Sequence, residues 1–131
     1  MKIEMEPIGI FYTQETEIPR HWSLSGAKGR IEIDPSFRKG LQDVEEGQQI
    51  VVLFYFHNSP SFTPELLIQK PPHRERPFGV FSTCSPRRPN SIGLSVLRVT
   101  GLQDNVIYVE NIDMIDQTPI LDIKPHIKGD S

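Results

Sequence analysis

Hydrophobic positions along the chain fall into short runs separated by polar, turn-forming residues. The longest apolar run covers residues 49–57, where β-branched and aromatic side chains follow one another with almost no polar interruption. That pattern is typical of a strand buried on both faces, such as the centre of a barrel or closed sheet. The same reasoning, applied to shorter runs bounded by Gly, Pro, Asn and Asp, predicts further strands at 7–12, 30–33, 78–81, 94–99, 106–109 and 110–115.

The remaining patterned segments predict little helix. Asp34 and Pro35 form a capping residue followed by a proline at the first helical position, so one or two short helical turns are expected up to Gly40. Residues 64–69 fit either a short strand or one helical turn. The tail alternates, with Asp122 and Lys124 on one face of a strand. With twelve prolines, nine glycines and no long amphipathic helix, the 131-residue chain is predicted to be a single, mainly β domain spanning residues 1–131.

A polar loop between two predicted strands is the first candidate site. Pro86 and Pro89 fix their own φ angles and bias the preceding residues away from helix, so Arg87 and Arg88 are expected on a stiffened backbone. Guanidinium groups suit carboxylates and phosphates, and rigid polar loops are where sites concentrate. An ordinary surface loop, whose arginines pair with acidic residues of the same protein, remains the alternative.

Two further segments have the composition of binding loops. Residues 13–29 form a polar connection that is long for so small a domain, which makes residues 18–22 a second candidate site, although Trp22 could equally be a core anchor. His57 and Asn58 end the long apolar run. A histidine in this position is more often a structural group than a catalyst, but together these two side chains offer donors and acceptors at one rim.

Charge is unevenly distributed along the chain. The net charge is −3, yet residues 66–103 hold six basic residues and one acidic residue, while the remainder holds eight basic and sixteen acidic residues. This asymmetry indicates a local anionic partner such as a phosphate backbone, or else a solvated basic loop. One cysteine and four scattered histidines give no zinc-type cluster, and no run approaches the ~20 apolar residues of a membrane span. No apolar signal-peptide segment follows the charged start, so we expect a cytoplasmic protein without metal.

Several short motifs distributed over nearly the whole chain carry a family resemblance. They are Ile8-Gly-Ile, Pro19-Arg20, Phe56-His57, Gly79-Val-Phe-Ser-Thr, Arg88-Pro-Asn-Ser-Ile-Gly-Leu94, Asp113-Met-Ile-Asp116-Gln-Thr-Pro119 and Leu121-Asp-Ile-Lys-Pro125. On these residues the chain resembles the TsaA-like (TrmO-type) family of tRNA methyltransferases. Members use S-adenosylmethionine (SAM) to methylate N6 of a threonylcarbamoylated adenosine beside the anticodon. The Arg-Pro-Asn-x-Ile-Gly and Asp-x-Lys-Pro patterns are specific in combination.

The resemblance implies a compact β-barrel-like fold with one or two short helices, a homodimer, a tRNA substrate and a SAM site outside any Rossmann sheet. No G-x-G-x-x-G motif follows a strand here, in agreement with that expectation. Two positions depart from the family pattern, because many members carry Arg at the place of Cys84 and Gly at the place of Gln117. By analogy, the cofactor contacts fall on Pro19, Arg20, His21, His57, Asn58, Cys84, Leu94, Asp116, Gln117, Thr118 and Pro119.

The roles implied for the remaining residues follow from the chemistry of methyl transfer. The protein mainly positions the acceptor against the methyl group, and a hydrogen-bond acceptor near the N6 proton would help. Asp116 is the first candidate for that catalytic group or for a ribose contact. Substrate contacts, to RNA phosphate or to the threonyl carboxylate, are expected at Arg87, Arg88, Asn90 and Lys124. A SAM-dependent enzyme with a different acceptor and a non-enzymatic SAM- or anion-binding module stay open as alternatives.

Overall fold

The computed structural model describes residues 1–127 as eight strands connected by loops and four short 3₁₀ helices; the last four residues of the predicted domain lie outside this range. Within it, no helix is long and apolar enough to cross a membrane. The 3₁₀ helices are Trp22–Leu24, Pro35–Leu41, Pro64–Leu67 and Val80–Ser82. The strands are β1 (Gly9–Tyr12), β2 (Lys28–Ile33), β3 (Gln49–Tyr55), β4 (Ile68–Gln69), β5 (Phe78–Gly79), β6 (Ile92–Gln103), β7 (Val106–Glu110) and β8 (Pro119–Pro125).

Six strands close into a ring in the order β1-β2-β7-β6-β3-β8, and β4 and β5 form a separate two-stranded sheet. Every neighbouring pair in the ring is antiparallel. The prediction of a mainly β fold with a closed sheet is therefore confirmed. A single closed layer has an inner and an outer face, so only alternate residues of each strand enter the core.

This alternation corrects the expectation that the long apolar run is buried on both faces. Along β3, Ile50, Val52 and Phe54 point inward and are at most 3% exposed, whereas Tyr55 is 47% exposed. The ring interior is filled by such inward-facing side chains. At Gly93 the chain passes so close to the Phe54 ring that a Cβ atom would lie 2.3 Å from Cζ. Glycine is therefore required at this point of β6 by the close packing.

Other boundaries differ from the sequence prediction for local reasons. The strand predicted at 110–115 does not form: Glu110 is the last residue of β7. Asn111 takes a positive φ of 71°, which breaks the extended backbone. Ile112 and Met114 in this segment still pack into the core. The strand predicted at 78–81 has only two residues and continues as a 3₁₀ turn, whereas the one predicted at 94–99 extends over twelve.

The predicted turns and the predicted tail are found in the structure. Asp34 caps the second 3₁₀ helix by accepting a 2.9 Å hydrogen bond from the Ser36 amide. Residues 64–69 contain both alternatives, a 3₁₀ turn followed by β4. On β8, Asp122 and Lys124 share a face and form an ion pair of 2.9 Å.

Candidate functional site

The strand register collects the loops with predicted site residues at one end of the ring. Tyr55 of β3 pairs with Ile92 of β6, so the chain leaving β3 lies beside the chain entering β6. Ile120 of β8 pairs with both Phe54 and Gly9, which puts the start of β8 at this same end. We name the four loops that meet there loop A (13–27), loop B (56–63), loop C (83–91) and loop D (111–118).

Loop D is tied to the end of β1 by backbone and side-chain hydrogen bonds. The Asp116 carboxylate accepts a 3.0 Å bond from the Thr13 amide through Oδ1, and the Gln117 amide donates to the Phe11 carbonyl at 2.7 Å. Thr118 is 2% exposed, and its hydroxyl donates to the carbonyl of Ile115 in the same loop at 2.7 Å. Asp116 itself is exposed, and the bond from Thr13 uses only Oδ1, so the other carboxylate oxygen remains for a ligand.

Asp113, to which the sequence analysis gave no role, connects loops A and D with the core. Its Oδ2 accepts a 2.9 Å hydrogen bond from the Trp22 amide, and its Oδ1 accepts one from the Ser95 hydroxyl. Ser95 is completely buried, and Trp22 packs against the core cluster. Burial raises the pKa of the Asp113 carboxyl, partly offset by the hydrogen bonds from Ser95 and Trp22 and by the nearby His21. The sequence signal that could have identified Asp113 is its position as a carboxylate between two apolar residues of loop D, Ile112 and Met114.

Loop C is cross-linked by its own side chains. Nη1 of Arg88 donates to the carbonyl oxygens of Thr83 and Ser85 at 3.0 and 3.1 Å. Neighbouring segments add contacts, because the Gln69 side chain donates to the Arg87 carbonyl at 2.6 Å. The expected rigid loop is thus supported by hydrogen bonds as well as by prolines. Only one guanidinium projects from it, since Arg87 is exposed whereas Arg88 is half-buried and turned into the loop.

A cavity of about 800 Å³ opens beside loops A and C. It brings together Arg20, His21 and Cys84 from the predicted cofactor set. Its volume lies within the range of about 300–1,000 Å³ that is common for small-molecule and cofactor sites. The remaining wall comes from the 70–86 region and includes Lys70, Pro71, Pro72, His73, Arg74, Phe78, Phe81, Ser82 and Thr83.

Comparison with known proteins shows to which family the chain belongs. The family model described as the tRNA-methyltransferase O N-terminal domain matches residues 8–130. The chain belongs to this TrmO family. It is similar to a Pyrococcus abyssi protein named "Probable S-adenosyl-L-methionine-binding protein", at 36% identity over 92% of this chain and 66% of the relative. It is also similar to human tRNA (adenine(37)-N6)-methyltransferase, at 40% identity over 66% of this chain and 20% of the relative.

Solved TrmO structures share the fold. A crystal structure of TrmO from Pseudomonas aeruginosa superposes with a TM-score of 0.76 at 32% identity, covering 97% of this chain and 57% of the other. A further TrmO crystal structure gives a TM-score of 0.77 at 34% identity. The chain spans roughly a third to two thirds of the length of the first three curated relatives that it matches, 34% of one and 66% of another.

The other predicted site residues of this TrmO-type domain are placed as follows. His57 lies in loop B, and its buried Nδ1 has no hydrogen-bond partner among residues 1–127. Asn58 and Asn90 are exposed in loops B and C. Leu94 is 52% exposed on the outer face of β6, and Lys124 pairs across to Val51 on β3, away from the four loops. The structure therefore gathers the predicted set at one end of the ring, with the exception of Lys124. The binding role of each residue stays a prediction.

Proposed function

We propose that this chain is a SAM-dependent methyltransferase that acts on N6 of threonylcarbamoyladenosine next to the anticodon of tRNA. The observation that carries this proposal is the meeting of four separate motif-bearing loops at one end of the ring, beside a cavity large enough for a cofactor. Membership of the TrmO family and the names of the relatives support the reaction class.

The residues at this end of the ring fit SAM. Arg20 and His21 offer donors for its carboxylate, and the second carboxylate oxygen of Asp116 offers an acceptor for a ribose hydroxyl or the ammonium group.

Bound SAM would supply an electrophilic methyl group on a sulfonium. The chain's own contribution is then to hold the acceptor in line with that methyl and to receive the N6 proton. We assign the second task to Asp116, and the hydrogen bond from the Thr13 amide to its Oδ1, which leaves the other oxygen available, supports this assignment. Arg87 and Asn90 are exposed in loop C and would contact RNA phosphate or the threonyl carboxylate. Arg88 would act on the substrate partly by holding loop C in shape.

A homodimer is the second part of this proposal. On the outer face of the ring, Leu53 and Tyr55 of β3 pair with Leu94 and Ile92 of β6. Three of these side chains, Tyr55, Ile92 and Leu94, are 47%, 39% and 52% exposed. Contiguous exposed apolar surface supports burial against another copy of the chain. The proposal also includes a cytoplasmic location, where tRNA is modified.

A methyl-transfer assay tests the reaction. Purified protein is incubated with SAM carrying a labelled methyl group and with tRNA from cells that contain, or lack, threonylcarbamoylation, and the digested nucleosides are separated by mass spectrometry. We expect label on N6 of threonylcarbamoyladenosine from the first tRNA and none from the second. Label on another nucleoside would show that the chain methylates a different acceptor. SAM binding without any labelled nucleoside would instead favour a non-enzymatic binding module.

A further inference from the structure

Phe81 is the most exposed aromatic side chain in residues 1–127, at 79%, and it lines the cavity beside loops A and C. A short 3₁₀ turn displays it. The preceding Val80 is 1% exposed, and its carbonyl accepts two hydrogen bonds from Thr83, one from the amide at 3.1 Å and one from the hydroxyl at 2.9 Å. The buried Val80 before Phe81 and the hydrogen bonds from Thr83 after it thus hold the Phe81 ring in solvent. Exposure of so much apolar surface to water costs free energy unless a partner covers it.

A second aromatic ring in the same cavity, Phe78, is in contact with two arginine side chains. The guanidinium carbons of Arg74 and Arg76 lie 4.7 and 4.1 Å from the centre of the Phe78 ring. Stacking on a ring fixes the position of an otherwise flexible arginine. The wall of the cavity formed by residues 70–78 therefore combines flat aromatic surface with positive charge.

The charge of the cavity indicates which kind of molecule this wall contacts. Arg20, Lys70 and Arg74 line it together with two histidines, and none of its lining residues is acidic. The ion pairs found among residues 1–127 all involve other cations, namely Arg30, Arg38, Arg98 and Lys124. At neutral pH SAM carries a sulfonium and an ammonium against one carboxylate. Its single carboxylate can be held by Arg20, so the remaining cations of the wall, Lys70 and Arg74, are better suited to phosphate than to the positively charged remainder of SAM.

We propose that Phe81, with the cationic wall of Lys70 and Arg74, forms the acceptor-RNA subsite. An unstacked base of single-stranded RNA lies against the Phe81 ring, and the phosphates that flank it contact Lys70 and Arg74. This inference rests on the proposed function. It adds that this wall recognises an unstacked nucleotide of single-stranded RNA. Recognition of RNA loops by aromatic stacking and basic side chains uses this combination of groups.

Two properties of this subsite are separable by experiment. Stacking of one base on an aromatic side chain gives a roughly 5- to 150-fold loss of affinity on alanine substitution, and it does not depend on salt. Each lost phosphate contact instead lowers the slope of log affinity against log salt concentration by about 0.7 for a single strand. We therefore expect Phe81→Ala to weaken binding with an unchanged salt slope, and Lys70→Ala or Arg74→Ala to lower the slope.

The experiment measures binding directly, without SAM and without turnover. Fluorescence anisotropy with a labelled single-stranded anticodon-loop RNA gives the affinity of the wild-type chain and of Phe81→Ala, Phe81→Leu and Phe81→Trp. Trp keeps the stacking surface and should preserve affinity, whereas Leu keeps only hydrophobicity and should not. Phe37→Ala is the matched control, because Phe37 is 50% exposed in the 3₁₀ helix Pro35–Leu41. That helix follows the other end of β2, opposite the four loops.

The outcomes separate this inference from the proposed reaction. If Phe81→Ala binds the RNA as tightly as wild type while both transfer methyl groups to tRNA, the subsite is wrong and the reaction stands. If Phe81→Ala weakens RNA binding but no variant methylates tRNA, the subsite stands and the reaction is wrong. A Phe81→Ala chain that changes from dimer to monomer in size-exclusion chromatography, with unchanged RNA affinity, would identify the ring as an interface with another copy and overturn the subsite.

Discussion

Replacing Asp113 tests whether this carboxylate holds loop A onto the core. In Asp113→Ala the Trp22 amide and the buried Ser95 hydroxyl both lose their acceptor. Hydrogen bonds to a charged group contribute about 1.5–3 kcal/mol each, and part of that is recovered because burial disfavours the charged carboxylate. We expect a net loss of about 2–4 kcal/mol in the free energy of unfolding. For a chain of this size that corresponds to a drop in Tm of about 8–16 °C.

Asp113→Asn separates the hydrogen bonds from the charge. The amide oxygen can still accept from the Trp22 amide, and the amide nitrogen can donate to the Ser95 oxygen, so the loss should stay within about 1 kcal/mol. Asp122→Ala is the control for removing a half-buried acid whose ion pair with Lys124 should contribute no more than about 1 kcal/mol. Thermal unfolding followed by circular dichroism gives all three values. Equal losses for Asp113→Ala and Asp113→Asn would refute the reasoning.

The pH dependence of the same variants has a defined sign. Because burial raises the pKa of Asp113, the folded state binds this proton more tightly than the unfolded state does. The resulting stability is complete below the ordinary aspartate pKa of about 3.9 and is lost as pH rises through the raised value. The stability of wild type minus that of Asp113→Asn should therefore fall with rising pH across this window and then level off. A difference that increases with pH would contradict the assignment.

Three further substitutions test packing, backbone conformation and chemistry. Gly93→Ala would force a Cβ to within 2.3 Å of the Phe54 ring and should cost about 1–3 kcal/mol in thermal unfolding, whereas Gly79→Ala, with nothing within 4 Å, should be tolerated. Gln117→Gly should stabilise the chain by about 0.5–1 kcal/mol, because Gln117 holds a φ of 68° that glycine adopts without strain; an unchanged or lower Tm would count against this. Asp116→Asn keeps the acceptor for the Thr13 amide and should lower kcat about 10²-fold or more if Asp116 is the base; weaker SAM affinity with undiminished turnover would remove that role and leave the cofactor contact.

The elements that could be predicted from the sequence are those fixed by local chemistry. The capped turn at Asp34 and the alternating tail follow from capping preferences and from the period of two along a strand, and both are confirmed. The prediction failed at residues 110–115, where buried Ile112 and Met114 alternate as in a strand although Asn111 breaks the backbone. Burial of alternate residues does not require strand pairing, so the hydrophobic pattern could not distinguish the two cases.

The candidate site was predictable as a set of motifs and much less as an arrangement. The stiff loop around Arg87 and Arg88 is present, but the direction of Arg88 depended on carbonyl oxygens that only the folded loop brings near. Asp113 was missed for a similar reason, since its partners lie 91 and 18 residues away in the chain. The glycine that the family pattern has at the place of Gln117, in contrast, has a local explanation, because the backbone at this position has a positive φ, which glycine adopts without strain.

The register of the antiparallel ring explains why distant motifs form one site. Each strand in such a ring reverses direction relative to its neighbours, so connections emerge alternately at the two ends. The chain leaving β1, β3 and β7 and the chain entering β2, β6 and β8 therefore share one end, and every loop with a predicted site residue lies on one of these connections. Lys124 lies near the far end of β8 and is the exception. A slip of two residues between β3 and β8 would keep the inward face but displace loop D from loop B, so site assembly depends on register as strictly as core packing does.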